Sequence, residues 1–256
     1  MRLLVSVISA EEARRAVAGG ADIIDVKDPS EGALGAPAPR VLSSVVSAVG
    51  AAAPVSVALG DMPHLPHTAA LAARGAALSG AAYVKVGLRG VRSLPDAVAL
   101  MGAVADAVGS EIVGSEVAVV AVAYADATAL DPAAFAPALL PELVRATGIA
   151  GALVDTFVKD GRGLYGWLSE GEVAELVART RAAGGSFGVA GQLRLGSLRR
   201  VDADVVGVRS AVCLGGDRAG DLDAELVAAA AAELRTLALQ PRIRQVHRQS
   251  PIVSGG

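Results

Sequence analysis

The feature that most constrains this chain is an eightfold alternation of short apolar runs with helical stretches. The apolar runs fall at residues 2–8, 21–27, 54–59, 82–88, 117–124, 151–159, 186–192 and 203–212. Each is six to ten residues long and nearly continuous in hydrophobicity, as expected of parallel strands covered on both faces. Between them lie helical stretches. The first is capped by Ser9, has Glu11 and Glu12 in its first turn and ends at Gly19-Gly20. Others begin near residue 40, follow His67, and occupy 93–108, 135–147, 170–183, a short stretch at 195–200, and 221–239. Each unit takes about 30 residues, the size of a strand–helix repeat in a (β/α)8 barrel. A doubly wound open sheet is the runner-up. It wants a Gly-rich turn after the first strand, and VSVISAEE has no glycine there.

The pattern predicts an α/β protein with one TIM-barrel catalytic domain over residues 1–239 and no internal linker. Residues 240–256, with Pro241, Pro251 and a Ser-Gly-Gly end, are expected to form a mobile tail. A chain of 256 residues buries enough apolar surface to need no metal or disulfide staple, and the single cysteine, Cys213, excludes an internal disulfide. The formal net charge of −3 gives no reason to expect nucleic acid as a partner. The mean hydropathy of +0.50 is high, but the apolar stretches are alanine-rich and broken by glycine or charge, so no membrane partner is expected. The N-terminus turns polar too early for a signal peptide. A cytoplasmic protein acting on a small molecule is the expectation, with room for a homo-oligomer.

The basic residues carry the chemical signal. Of 23 Lys and Arg, only Lys27, Lys85 and Lys159 are lysine; the other 20 are arginine. Arginine cannot form an imine or act as a neutral amine base, because its guanidinium stays protonated. The three lysines fall toward the C-terminal ends of strands two, four and six, the face where barrels of this kind place their active sites. The two-residue side-chain period puts Asp25 beside Lys27 on strand two, and Asp155 beside Lys159 on strand six. A lysine inside a barrel is costly unless paired, and these carboxylates supply the pairing. Crowding among three cations is expected to lower the pKa of at least one lysine. Three drifted residues and purely structural ion pairs are the bland alternatives, and position in the fold decides between them.

The loops after strands seven and eight commonly bind phosphate in such barrels. Here they carry Gly191, Gln192, Gly207, Arg209, Gly215, Gly216 and Arg218. Glycines permit close approach of backbone N–H groups, and Arg can clamp phosphate bidentately. His64 and His67 lack the spacing of a metal site, and Cys213 reads as a packed thiol. Tyr124 and Asp126 stand where they can line the mouth, though Asp126 can equally cap a helix. Phe157, Tyr165 and Trp167 can cover the site or fill the core.

Seven segments are similar to those of one known family: LLVSV, GGADIIDVKDPSEGALGA, SVALGDMP, GAALSGAAYVKVGL, YADA, DTFVKDG and VGVRSAVCLGGDR. Together they run in order from Leu3 to Arg218, and the chain resembles the (5-formylfuran-3-yl)methyl phosphate synthase family of methanofuran biosynthesis. The tail lies outside the resemblance. The resemblance implies a barrel lyase that condenses two molecules of glyceraldehyde 3-phosphate, losing one phosphate and two waters. It also implies that Lys27 is the Schiff-base lysine and Lys85 an acid/base residue, and that Asp25, Asp155 and Lys159 are further active-site positions. No metal or organic cofactor is implied. Two competing readings stay open: another imine-forming phosphosugar enzyme such as a class I aldolase, and a barrel that only binds a phosphorylated ligand.

Overall fold

The computed structural model describes residues 1–109, 116–200 and 202–238; the tail expected at 240–256 lies outside the described residues. Eight parallel strands close into a barrel in sequence order: β1 (Arg2–Val7), β2 (Ile23–Val26), β3 (Val55–Asp61), β4 (Tyr83–Gly87), β5 (Ala118–Tyr124), β6 (Gly151–Asp155), β7 (Ser186–Val189) and β8 (Val205–Val208). β1 closes the ring by pairing in parallel with β8, Leu3 opposite Val206. The helices are α1 (Ala10–Ala18), α2 (Pro39–Val49), α3 (Pro66–Leu78), α4 (Leu94–Val108), α5 (Ala127–Leu130), α6 (Leu140–Thr147), α7 (Glu170–Ala182) and α8 (Ala224–Ala238). Among the described residues, a 3-10 turn, Leu198–Arg200, is the one helical element between β7 and β8. Among the described residues no helix is long and apolar enough to cross a membrane.

Local rules account for the helix starts. Ser9 accepts from the backbone N–H of Glu12 and Ser93 from that of Asp96. Ser169 and Glu172 form a reciprocal capping box at α7. Most of the core is the layer between strands and helices, where Val5, Val7, Ile24, Val84, Met101, Leu143 and Phe187 are fully buried. The barrel interior is divided. Leu4, Ile23 and Val205 fill its N-terminal end, and Ala58, Val122, Tyr124 and Leu153 fill part of its C-terminal end. A polar layer separates them: Asp25 lies opposite Ser6 on β1 and Ser56 on β3.

Several strands stop earlier than the apolar runs suggest. β6 ends at Asp155 rather than at residue 159, and β8 ends at Val208 rather than at 212, where a 3-10 turn (Ser210–Val212) replaces it. β7 ends at Val189; Gln192 adopts a positive φ of 49°, which no strand tolerates. Apolar content continues past each strand because the first loop residues still pack into the mouth, so hydrophobicity alone overruns the ladder. Lys159 therefore sits on a loop, and the strand-period reason for pairing it with Asp155 does not apply.

Candidate active site

The lysines, with Asp25 and Asp155, line one cavity at the C-terminal mouth of the barrel. Asp25 and Lys85 project inward from β2 and β4. Lys27 lies one residue past β2 and still donates its backbone N–H to Val7 O at 3.1 Å, which keeps its side chain on the Asp25 side. Lys85 Nζ is 2.7 Å from Asp25 Oδ2, with both side chains at most 5% exposed. The same Oδ2 accepts from Ser6 Oγ at 3.0 Å. Asp25 Oδ1 is buried without a hydrogen-bond partner.

Lys159 reaches Asp155 by turning back from the loop. Its Nζ lies 2.8 Å from Asp155 Oδ1 and also donates to the carbonyl and hydroxyl of Thr156. The start of that loop is pinned from β5: the Asp126 carboxylate accepts from the N–H groups of Phe157 (2.8 Å) and Val158 (2.7 Å). Asp126 is fully buried and makes no side-chain cap to α5. It therefore neither caps a helix nor lines the lysine cavity; it fixes the loop that carries Lys159.

Lys27 differs from its two neighbours. Among the described residues its ammonium has no hydrogen-bonded partner; it feels Asp155, Asp25, Lys85 and Lys159 only through space. Burial, more than any neighbour, lowers its pKa from 10.5 to about 8, and the two carboxylates only partly offset this. Crowding by Lys85 and Lys159 acts in the expected direction but ranks behind burial and both carboxylates. For Asp155, burial pushes upward, but Lys159, Lys27 and the hydrogen bonds prevail and hold the carboxyl below its ordinary value. The cavity thus holds two hydrogen-bonded lysine–carboxylate pairs and one lysine easily made neutral. A neutral buried amine can attack a carbonyl, and the paired groups can carry protons.

Over the cavity lies the segment following β2. Asp28 N donates to Gly35 O at 2.9 Å, and a Cβ on Gly35 would come within 2.0 Å of Asp28 O, so the loop closes on itself only with glycine there. This places Leu34, 2% exposed, in the cavity wall. The opposite wall comes from the late loops, through Gly191, Gln192, Arg209 and Arg218, and from Gly207, which lies within β8 rather than in the loop expected to carry it. The Arg209 guanidinium, however, is engaged. It pairs with Glu12 at 2.8 Å and donates to Ser6 O and Arg218 O. Arg218 Nη2, by contrast, is buried without a partner. Gly215 and Gly216 do not line the cavity. They are exposed, with φ of 68° and 73°, in the turn leading to Arg218.

Other expectations resolve simply. Tyr165 and Trp167 follow β6 but do not line the cavity; the Arg162 guanidinium stacks on the Trp167 ring at 4.0 Å. His64 is a loop residue with φ of 58°. Cys213 is buried, and burial raises its thiol pKa. Among the described residues no three His, Cys, Asp or Glu side chains are grouped to hold a metal ion. Ser6 and Leu34 were not singled out in the sequence: a serine in an apolar strand and a leucine in a loop give no signal until the register is known.

A barrel with these lysines and carboxylates at its mouth matches one family model, 4-HFC-P synthase, over residues 3–231. The chain belongs to that family. Among relatives of the 4-HFC-P synthase family, (5-formylfuran-3-yl)methyl phosphate synthase of Methanocaldococcus jannaschii is 43% identical over 231 residues, covering 89% of this chain and 97% of that protein. The Methanosarcina mazei synthase is 40% identical over 236 residues, covering 91% and 99%. Solved structures share the fold at low identity. Orotidine 5'-phosphate decarboxylase from Pyrococcus horikoshii has a TM-score of 0.60 at 16% identity, covering 91% of this chain and 99% of that one. A chain titled "QR15, an Aldolase" has a TM-score of 0.58 at 11% identity, covering 94% and 97%. Membership in a family of synthases makes the chain an enzyme.

Proposed function

We propose that the protein condenses two molecules of glyceraldehyde 3-phosphate to (5-formylfuran-3-yl)methyl phosphate, releasing one inorganic phosphate and two waters, through an imine on Lys27. The observation that carries this reading is the state of Lys27: buried, without a hydrogen bond, its pKa lowered to about 8, between two lysines already paired to carboxylates. The product is that of the relatives, which are (5-formylfuran-3-yl)methyl phosphate synthases.

The chemistry is that of a carbonyl made acidic. The neutral Lys27 amine adds to the carbonyl carbon of one triose phosphate and water departs, leaving C=N. Protonated, that imine lowers the pKa of the neighbouring C–H, whose proton moves to a nearby base and leaves an enamine. The enamine carbon attacks the carbonyl carbon of the second triose, and its oxygen takes up a proton. Elimination of phosphate, ring closure and loss of water complete the furan, and hydrolysis of the imine frees Lys27. Lys85, held by Asp25, and Lys159, held by Asp155, are the proton carriers on either side. The first triose's phosphate lies toward Gly191, Gln192 and Gly207, with Arg218 Nη2 as its charged donor. Arg209 holds the backbone carbonyl of Arg218 in place, and Gly215 and Gly216 shape the turn that delivers Arg218.

The test is incubation with glyceraldehyde 3-phosphate while following ultraviolet absorbance for a conjugated furan aldehyde and assaying released phosphate. Borohydride added during turnover should leave a secondary amine on Lys27. An acyclic sugar phosphate formed without phosphate release would make the protein an ordinary aldolase. Label on Lys85 or Lys159 would reassign the nucleophile.

A further inference from the structure

A second cavity, of about 420 Å³, opens at the same mouth over β3, β4 and β5. The lysine cavity has only about 40 Å³ of comparable free volume, enough for a few waters but not for two triose phosphates. The larger space falls in the range used for small metabolites. Its floor is a carboxylate–phenol pair. Tyr124 Oη donates to Asp61, lying 2.9 Å from each carboxylate oxygen, and Arg89 N donates to Asp61 Oδ1 at 3.2 Å. The pair depends on Gly87, because a Cβ there would collide with the Asp61 carboxylate. Gly87 is two residues beyond Lys85 on the same face of β4, and Tyr124 stands opposite Asp155 in the β5–β6 ladder. Leu34 and Leu153 pack with Tyr124 and also line the lysine cavity, so the two spaces share a wall.

The rim carries a cation. The exposed Arg89 guanidinium lies over the Phe157 ring, 3.9 Å from its centroid, and the same ring meets Tyr124 edge-on at 5.6 Å. Among the described residues the Arg89 guanidinium makes no ion pair, whereas the neighbouring Arg92 is taken up by Asp131 at 3.0 Å. An aromatic face that holds a guanidinium flat leaves its N–H edge for an anion.

We propose that this second cavity is the subsite of the second triose phosphate, with its phosphate on the Arg89 guanidinium at the rim and its hydroxyl donating to the Asp61–Tyr124 pair at the floor. The proposal rests on the two-triose reading above. Asp61 is set back from the rim, and burial raises its carboxyl pKa, which eases its coexistence with a nearby phosphate. Tyr124 also has a raised pKa, first through burial and then through Asp61, so it keeps its proton as a donor.

The experiment separates the two half-reactions. Product formation is followed against glyceraldehyde 3-phosphate concentration, and imine formation by borohydride trapping at Lys27 with substrate below one equivalent. Arg89→Ala should raise half-saturation for product formation by about tenfold or more with trapping unchanged. Arg89→Lys, which keeps the charge, should recover part of that loss. Tyr124→Phe should lower product formation, again with trapping intact. Unchanged half-saturation in Arg89→Ala overturns the proposal, and so does a loss of trapping in step with product, which would place Arg89 at the first site. A wild-type protein that traps no imine would overturn the two-triose reading itself, and the subsite with it.

Discussion

Two buried ion-paired groups sit side by side at the barrel mouth and are finished to different degrees. Arg209 and Glu12 are sealed: the guanidinium meets both Glu12 oxygens and two backbone carbonyls, and Glu12 Oε2 also accepts from Ile8 N. The lysine group is left open. Asp25 Oδ1 has no donor, and Lys27 has no hydrogen-bond acceptor among the described residues. Burial is similar in both, so exposure does not distinguish them. A saturated pair cannot exchange a partner for a ligand without loss, whereas an unsaturated one holds unmet bonding capacity for a reacting molecule. The contrast separates a pair whose bonding is complete from a group able to take up a ligand.

The sharpest way to break this contrast is Lys27→Arg. It keeps the cation but removes any neutral amine, so turnover and borohydride trapping should fall below detection while the melting temperature stays near that of the wild type. Measurable trapping elsewhere would move the open group to another lysine. Lys85→Arg should cost about 10²- to 10⁴-fold in turnover through loss of proton transfer, with trapping on Lys27 kept. Near-normal turnover would mean that Lys85 contributes charge alone.

On the sealed side, Glu12→Gln should leave a buried Arg209 without its counter-charge and cost about 3–5 kcal/mol of stability, read from urea unfolding. A loss of turnover without a loss of stability would place this pair in the chemistry after all. The smallest effect comes from the cost of burying Lys27. Its folded pKa of about 8 lies below its unfolded 10.5, so between those values the native state binds fewer protons than the unfolded chain. Stability should rise with pH across that window. Lys27→Met should therefore stabilise the protein below pH 8, by at most about 3 kcal/mol, with the advantage gone above about pH 10.5. Turnover of the wild type should rise through pH 8 as the amine becomes neutral. A flat response in both would mean that Lys27 is solvated and ordinary.

The barrel was legible because its signal is repeated eight times and needs no long-range information. The lysine cavity was legible for a different reason: lysine is scarce in this chain, and each copy stood near a strand end. What the sequence hid was bonding. Asp155 meets Lys159 through a turn that a strand-period argument does not describe. Arg209 reads as a free cation in a glycine-rich loop, yet its partner Glu12 is 197 positions away and looks like an ordinary acidic residue in the first turn of a helix. Likewise the Asp61–Tyr124 pair joins residues 63 apart, on strands that do not neighbour each other. Identity and approximate depth can be read locally, but partners across the barrel cannot.

The seam between β1 and β8 has a consequence for how the molecule is made. Arg209 donates to Ser6 O, and Ser6 Oγ holds the Asp25 oxygen that also holds Lys85. The Asp25 carboxylate is therefore oriented through a strand that β2 holds on one edge and whose other edge is paired only when the last strand arrives. A ribosome-bound chain with six or seven strands already carries all three lysines but not this final brace. The order of the Asp25 carboxylate is thus coupled to closure of the ring, and a barrel that lacks β8 lacks the Arg209 contact to Ser6.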